Sequence, residues 1–167
     1  MVTVRAATPD DVPVIAGLRR AWTEENAGQA VDDPSFDDVF AEWFAREAHQ
    51  RVTWLAEDDG RVLGMLNLLV FTRMPRPRAT DAPTHPGQWG YVANVYVVPG
   101  DRDRGIGRLL LDAIEVAAPA EAARFVLFTG ALSERNIRIY KKAGYRFLGP
   151  DPETPGAVRL SKRRPLR

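Results

Sequence analysis

The sequence predicts a mixed α/β sheet in a single domain, with one parallel strand-helix-strand crossover. Three observations lead there. The chain has 167 residues, 45% hydrophobic and 27% charged, which suits one globular domain with a respectable core and leaves little room for a second. Helical stripes and β-rich runs follow one another without a repeat or a convincing linker. The run "WGYVANVYVVP" is apolar throughout, as in a strand buried on both faces, and a helix and a further strand follow it.

Taken in order, "VTVRAA" alternates like a short strand. In "TPDD", Thr8 can cap a helix, Pro9 fits the first helical position, and Asp10 and Asp11 sit where the helix dipole favours acid. Val12, Ile15, Leu18 and Trp22 then repeat at helical spacing. The link "ENAGQAVDD" is polar and contains glycine, a loop able to move. Ser35 opens a second helix, with Phe36, Val39, Phe40 and Trp43 or Phe44 as its buried stripe. "RVTWLAEDDGRVLGMLNLLVFTR" reads as a hairpin around "DDG". The proline-rich stretch from Met74 to Gln88 is a long loop of the functional kind, ahead of the apolar fourth strand. The helix "RLLLDAIEVAA" is closed by Pro119, and "RFVLFTG" is the fifth strand. Ser133 caps a last helix that Gly144 stops, and "YRFLG" and "AVRLSKR" close the sheet.

Composition excludes several function classes. A net charge of +1 carries no nucleic-acid signature, and the basic residues Lys162, Arg163, Arg164 and Arg167 read as a solvated tail or end strand. There is no cysteine, hence no disulfide, no thiolate metal site and no acyl-cysteine intermediate. Two histidines, His49 in a helix and His85 in the loop, make no metal site. No run approaches membrane-spanning length and no signal-peptide segment opens the chain, so a cytoplasmic protein is expected.

"DRDRGIGRLL", Asp101 to Leu110, joins the buried fourth strand to a helix. Such a junction exposes backbone N–H groups that have no intrahelical partner, and the helix N-terminus adds partial positive charge. Gly105 and Gly107 let a ligand approach that backbone, and Arg102, Arg104 and Arg108 add attraction for an anion. The alternative is a bare tight turn. A P-loop needs Gly-Lys-Ser/Thr and the dinucleotide fingerprint needs a third glycine where Leu110 stands, so both fail. What fits is R-x-x-G-x-G, Arg102 to Gly107.

"NVYVVPGDRDRGIGRLLLDAIE" resembles the pyrophosphate-binding motif of the GNAT superfamily of acyl-CoA-dependent N-acetyltransferases. "LFTGALSERNIRIYKKAGYRFLG" resembles that family's second motif, and "VRAATPDDVPVIAGLRRAW" its opening strand and helix. The chain departs from the family in "KKAGY", where Leu-Gly-Phe is more usual. With the element order included, the resemblance covers nearly the whole chain and implies one GNAT-type domain over residues 1–167. It implies that backbone amides of Arg104, Gly105, Ile106, Gly107 and Arg108 bind the diphosphate of acetyl-CoA, used as co-substrate. Val95, Tyr96 and Val97 pair by backbone with the pantetheine arm, in a splay between the fourth and fifth strands. Asn136 hydrogen-bonds CoA from the side, and Tyr140 stands near the thioester sulfur.

The implied chemistry is direct attack by a primary amine on the acetyl thioester in a ternary complex. A lysine-like amine has a free pKa near 10.4, so about one in two thousand is neutral at pH 7. A base, a water relay or an environment that lowers the amine pKa is therefore required. Glu24 and Glu25 at the end of the first helix are candidate bases, against the plainer reading of a solvated helix end. Asn94 and Tyr91 lie on the fourth strand, and a water chain is a further candidate; the sequence selects none of them. A backbone N–H from Val95–Val97 can meet the oxyanion.

The plainer readings are a core aromatic for Tyr140 beside Ile137 and Ala143, and a first-turn helix residue for Asn136. The acceptor, a small-molecule or peptide amine, is expected near the first inter-helix loop and the Met74–Gln88 loop, whose Arg73, Arg76, Arg78 and His85 suit a carboxylate-bearing amine, against the plainer reading of solvated loop charges. Trp22, Trp54 and Trp89 read as core or pocket wall. A non-catalytic acyl-CoA sensor is the competing function. Nucleic acid and membrane are not expected partners. Homodimers are frequent among proteins that resemble this chain, and no sequence feature locates an interface.

Overall fold

The computed structural model describes residues 1–77, 79, 87–118, 122–130 and 133–164. Arg78, His85, Pro119 and Arg167, singled out in the sequence, lie outside them. The elements follow the expected order: β1 (Thr3–Ala6), α1 (Val12–Ala27), α2 (Phe36–Glu47), β2 (Arg51–Asp58), β3 (Arg61–Thr72), β4 (Gln88–Val97), α3 (Ile106–Ala117), β5 (Ala122–Gly130), α4 (Glu134–Lys142), β6 (Arg146–Pro150) and β7 (Ala157–Arg163). The strands form a seven-stranded mixed sheet in the order β1-β2-β3-β4-β5-β7-β6. β4 and β5 are parallel, in register from Gln88↔Ala122 to Tyr91↔Val126, whereas β1–β2, β5–β7 and β6–β7 are antiparallel. No helix among the described residues is long and apolar enough to cross a membrane.

The chain packs into two compact units, Met1–Asn67 with Asn94–Ala113, and Leu68–Ala93 with Ile114–Arg167. In the first, Thr8 caps a 3-10 turn, Pro9–Asp11, and α1 itself starts at Val12. The Asp11 carboxylate accepts the Thr8 N–H at 2.7 Å and both Arg5 guanidinium N–H groups at 2.8 Å, which ties the turn to β1. Ile15, Leu18, Leu55, Met65 and Tyr96 form a buried cluster, with Trp22, Phe40 and Phe44 packed against it. Each such aliphatic side chain contributes about 1.5–3 kcal/mol by leaving water. The hairpin turn is Asp59–Gly60, both at positive φ (49° and 76°), as a two-residue turn of the primed type demands.

Two local expectations change in this unit. Val39 is 60% exposed, not buried, because the aromatic side chains of α2 hold the inward side. The α1–α2 link is tied down: Glu24 accepts the Val31 N–H at 3.1 Å, and Arg20 donates to the carbonyls of Val31 and Asp33 at 2.8 and 3.0 Å.

In the second unit, Phe125, Leu127, Val158, Leu160 and Ile114 are buried, and a Cβ on Gly90 would meet the Phe125 ring at 2.6 Å. Of the two readings of the basic run, the end strand holds for Lys162 and the exposed Arg163, which close β7. Lys162 donates to the Ala143 carbonyl at 2.8 Å and pairs with Glu115 at 2.9 Å. Arg164, with only 7% of its side chain exposed, donates to the carbonyls of Ala122, Glu115 and Ala118. Arg164 has left water for acceptors fixed by the fold, and Lys162 is half-buried against its own.

Candidate active site

After β4 the chain makes a 3-10 turn at Pro99–Asp101 and reaches α3 through Asp103 and Gly105, both left-handed at φ 64° and 79°. Alternation of this kind turns successive N–H groups toward one side. Ile106, 1% exposed, anchors the first turn of α3 in the core. Leu109 makes the first intrahelical bond, to the Gly105 carbonyl at 3.0 Å, so Ile106 and Gly107 have N–H groups with no acceptor within the helix. Gly107 has an ordinary φ, and a Cβ there would meet nothing within 4 Å. The fold itself places no demand for glycine at that position.

The three arginines of this turn are already neutralised. Arg102 forms a two-pronged pair with Glu25, both contacts at 2.7 Å, and its Nε donates to the Val97 carbonyl at 2.9 Å. Arg104 pairs with Asp101 and, at 3.3 Å, with Asp58. Arg108 pairs with Asp112 at 2.8 Å. The attraction expected of them toward an anion is therefore largely offset, and the backbone remains as the principal donor.

Within β4, Asn94 takes φ 53°, a left-handed residue inside a strand. Conformations of this kind re-aim a strand locally and cost on the order of 1–3 kcal/mol. Val95 and Val97 are half-buried. Tyr96 is buried, stacked on Trp22 with ring centroids 5.6 Å apart, and its hydroxyl hydrogen-bonds with Glu25. Its side chain is thus committed to the core, and only its backbone remains for a ligand. Burial and the Glu25 charge push its hydroxyl above the ordinary tyrosine value. The Arg102 hydrogen bonds hold Glu25 below the usual carboxylate range, so it is a weak proton acceptor. Glu24 is engaged by Val31.

A cavity of about 210 Å³ opens beside these residues. Ile15, Phe36, Phe40, Trp43 and Met65 make its apolar wall; Arg19, Thr53, Asn67 and Asn94 make its polar side. The α2 stripe expected in the core is in large part this wall. Sequence reasoning missed Arg19, although the signal was there: a cation four residues after Ile15 and three before Trp22, on the apolar stripe of α1.

In the second unit, Asn136 and Tyr140 are four residues apart on α4 and share one face. Asn136 is exposed and Tyr140 is 8% exposed, its ring edge-on to Tyr145 at 6.0 Å. Burial, with a smaller contribution from Tyr91, pushes the Tyr140 hydroxyl up to about 12. Gly144, φ 92°, ends the helix. Arg73 stacks on Trp89 at 4.1 Å from the ring centroid, with Arg124 on the same ring at 5.4 Å.

The profile of the Acetyltransferase (GNAT) family matches residues 16–145. The chain belongs to this family. Solved GNAT-type structures share its fold. An N-acetyltransferase from Staphylococcus aureus Mu50 is similar over 99% of each chain, at 19% identity and a TM-score of 0.72. Arabidopsis thaliana NAA60 in complex with a bisubstrate analogue is similar over 98% of each chain, at 16% identity and a TM-score of 0.69; its complex with acetyl-CoA gives 0.70. A ribosomal-protein-alanine N-acetyltransferase from Brucella melitensis is similar over 96% of this chain and 99% of its own, at 20% identity and a TM-score of 0.67. No curated protein matches the chain in sequence. As a GNAT acetyltransferase, the chain brings Glu25, Val95–Val97 and the Arg102–Arg108 turn together in one unit, while Asn136 and Tyr140 stand together on α4 in the other.

Proposed function

We propose that residues 1–167 form one acetyltransferase domain that moves an acetyl group from acetyl-CoA to a primary amine by direct attack. The observation that carries this reading is Gly107: a glycine at a helix N-terminus with open space beside it and no steric or conformational need within the fold. A bound diphosphate supplies that need, since any side chain there would stand over the N–H groups it uses. Gly105, Ile106 and Gly107 donate by backbone, and the backbone of Arg104 and Arg108 completes the turn. The offset arginines make the turn nearly neutral overall, so binding rests on short-range hydrogen bonds more than on long-range attraction.

The amine nitrogen bonds to the acetyl carbon, the carbon–sulfur bond breaks, and CoA leaves as the thiol. A backbone N–H of Val95–Val97 steadies the oxyanion, and Asn136 holds CoA from the side. No carboxylate or imidazole lines the 210 Å³ cavity among the described residues, so the amine proton leaves to water. Tyr140 keeps its own proton: with its hydroxyl at about 12 and a thiol near 8.5, full transfer is uphill by about 5 kcal/mol. It acts as a hydrogen-bond donor to the departing sulfur.

Calorimetric titration of acetyl-CoA into the wild type and into Gly107→Glu tests the reading. Saturable wild-type binding, weakened at least a hundredfold in a variant that melts normally, is expected. A folded wild type that does not bind, or a variant that binds equally well, refutes the proposed turn.

A further inference from the structure

Arg19 is half-buried at the cavity of the first unit and lies over the Trp22 ring, 4.8 Å from its centroid. Among the described residues it has no carboxylate partner, whereas every other arginine of that unit has one within 4.0 Å. A half-buried guanidinium lying over a ring with no carboxylate beside it keeps its donors available for a ligand's carboxylate. Thr53 and Asn67 are occupied with each other at 2.9 Å, and Asn67 also accepts from Arg51 at 3.0 Å. Opposite them, Phe36, Phe40 and Trp43 form a run of ring contacts at 5.6 and 5.5 Å along α2. At about 210 Å³ the space is below the roughly 300–1,000 Å³ of pockets that enclose a drug-sized ligand.

We infer that this cavity is the acceptor pocket and that it selects a small amino acid with an aromatic or branched apolar side chain, its carboxylate on Arg19 and its side chain against Phe36, Phe40 and Trp43. One guanidinium matches one carboxylate, whereas a phosphate monoester carries up to two charges at neutral pH. Polyamines and multiply charged antibiotics are disfavoured twice, by the Arg19 charge and by the size of the space. The Asn94 carboxamide, on its left-handed residue, is the polar group left to orient the amine. As an acceptor site, this rests on the acetyl-transfer reading above.

The test has two arms. In the first, thiol release with saturating acetyl-CoA is compared for L-phenylalanine, L-phenylalaninamide, phenethylamine and spermidine. Phenylalanine is expected to exceed each of the others by about ten- to a hundredfold in kcat/KM, the usual effect of a charge-assisted contact, and Arg19→Met is expected to bring its ratio to phenethylamine near one. In the second arm, calorimetry follows 3-phenylpropanoate, which has no amine to acetylate, binding to wild type, Arg19→Met and Arg19→Lys. Binding in the wild type, loss in Arg19→Met and partial retention in Arg19→Lys are expected. Equal use of the amide or of phenethylamine by the wild type overturns the inference without any variant and leaves the transferase reading standing. Arg19-dependent binding of 3-phenylpropanoate without thiol release from any amine supports the ligand class and overturns the transfer reading.

Discussion

Glu25 and Arg102, 77 residues apart in sequence, meet in a two-pronged ion pair with both contacts at 2.7 Å. The pair fastens the last turn of α1 to the turn that leads into α3, and it engages a candidate base and a candidate anion-binding cation with each other. Glu25→Gln is expected to lower the melting temperature by about 2–4 °C, corresponding to about 1 kcal/mol. The folded state holds this carboxyl below its ordinary 4.5, so its stabilising effect is present above that pH and is lost as pH falls through the lower folded value. Melting curves of wild type and variant should converge in acid. A fall in kcat of more than a hundredfold, with loss of the acidic limb of the rate profile, would return Glu25 to the role of base.

Tyr140→Phe should slow thiol release about ten- to a hundredfold with little change in KM for acetyl-CoA, since the hydroxyl is assigned to the departing sulfur and not to binding. It should also change the alkaline limb of stability. A tyrosine raised from 10.0 to about 12 keeps its proton in the folded state after the unfolded state has released it, so the stability it contributes is full below pH 10 and is lost as pH rises through 12. That difference is worth about 2–3 kcal/mol. Tyr145, which burial raises further, shares the effect. Urea midpoints at pH 8 and pH 11.5 should lie closer together in the variant; an unchanged gap would show that Tyr140 is not a buried titrating group.

The order of elements was legible because it rests on local signals: the Asp59–Gly60 turn, Ser133 ahead of α4, Gly144 behind it, and apolar spacing along α1 and α3. The position of the Arg102–Gly107 turn between β4 and α3 was legible for the same reason, being a contiguous stretch of chain. What the sequence hid is tertiary. Nothing near Arg102 or Arg104 announces that Glu25 and Asp58 will reach them, and only the local partners, Asp101 three residues before Arg104 and Asp112 four after Arg108, were within reach of inspection. Asn94 is an ordinary member of an apolar run until the backbone shows it left-handed. Arg164 looked like part of a basic tail because charge runs usually face water, and its burial depends on carbonyls left over at the ends of α3 and β5.

Gly64 and Gly107 should respond oppositely to alanine. A Cβ on Gly64, in β3, would lie 2.7 Å from the Tyr96 carbonyl oxygen and 3.3 Å from the Val97 Cα, so β4 would have to shift along the stretch assigned to the pantetheine arm. Gly64→Ala is expected to cost about 1–3 kcal/mol and to weaken acetyl-CoA binding. Gly107→Ala, with nothing within 4 Å, should melt no lower than the wild type, because alanine favours the helix by up to about 1 kcal/mol. Thermal melting of the two variants side by side decides the matter, and equal destabilisation would contradict the close approach at Gly64.

Arg164 supplies the strongest expected loss of stability outside the proposed site. Its guanidinium satisfies the carbonyls of Ala122 and Glu115 at 2.8 and 2.9 Å, approaches Glu115 at 3.7 Å and lies 4.9 Å from the Phe125 ring centroid. Arg164→Met keeps the stem and removes the donors, leaving buried carbonyls and part of the Glu115 charge uncompensated. A cost of about 3 kcal/mol follows, or a melting temperature lower by about 6–12 °C. Adding Glu115→Gln should recover none of it, since Glu115 stays paired with Lys162 at 2.9 Å in the single variant and its loss leaves the Lys162 ammonium without a counter-charge. Simple additivity of the two substitutions in urea unfolding would mean that the carbonyls, and not the ion pair, hold Arg164 in place.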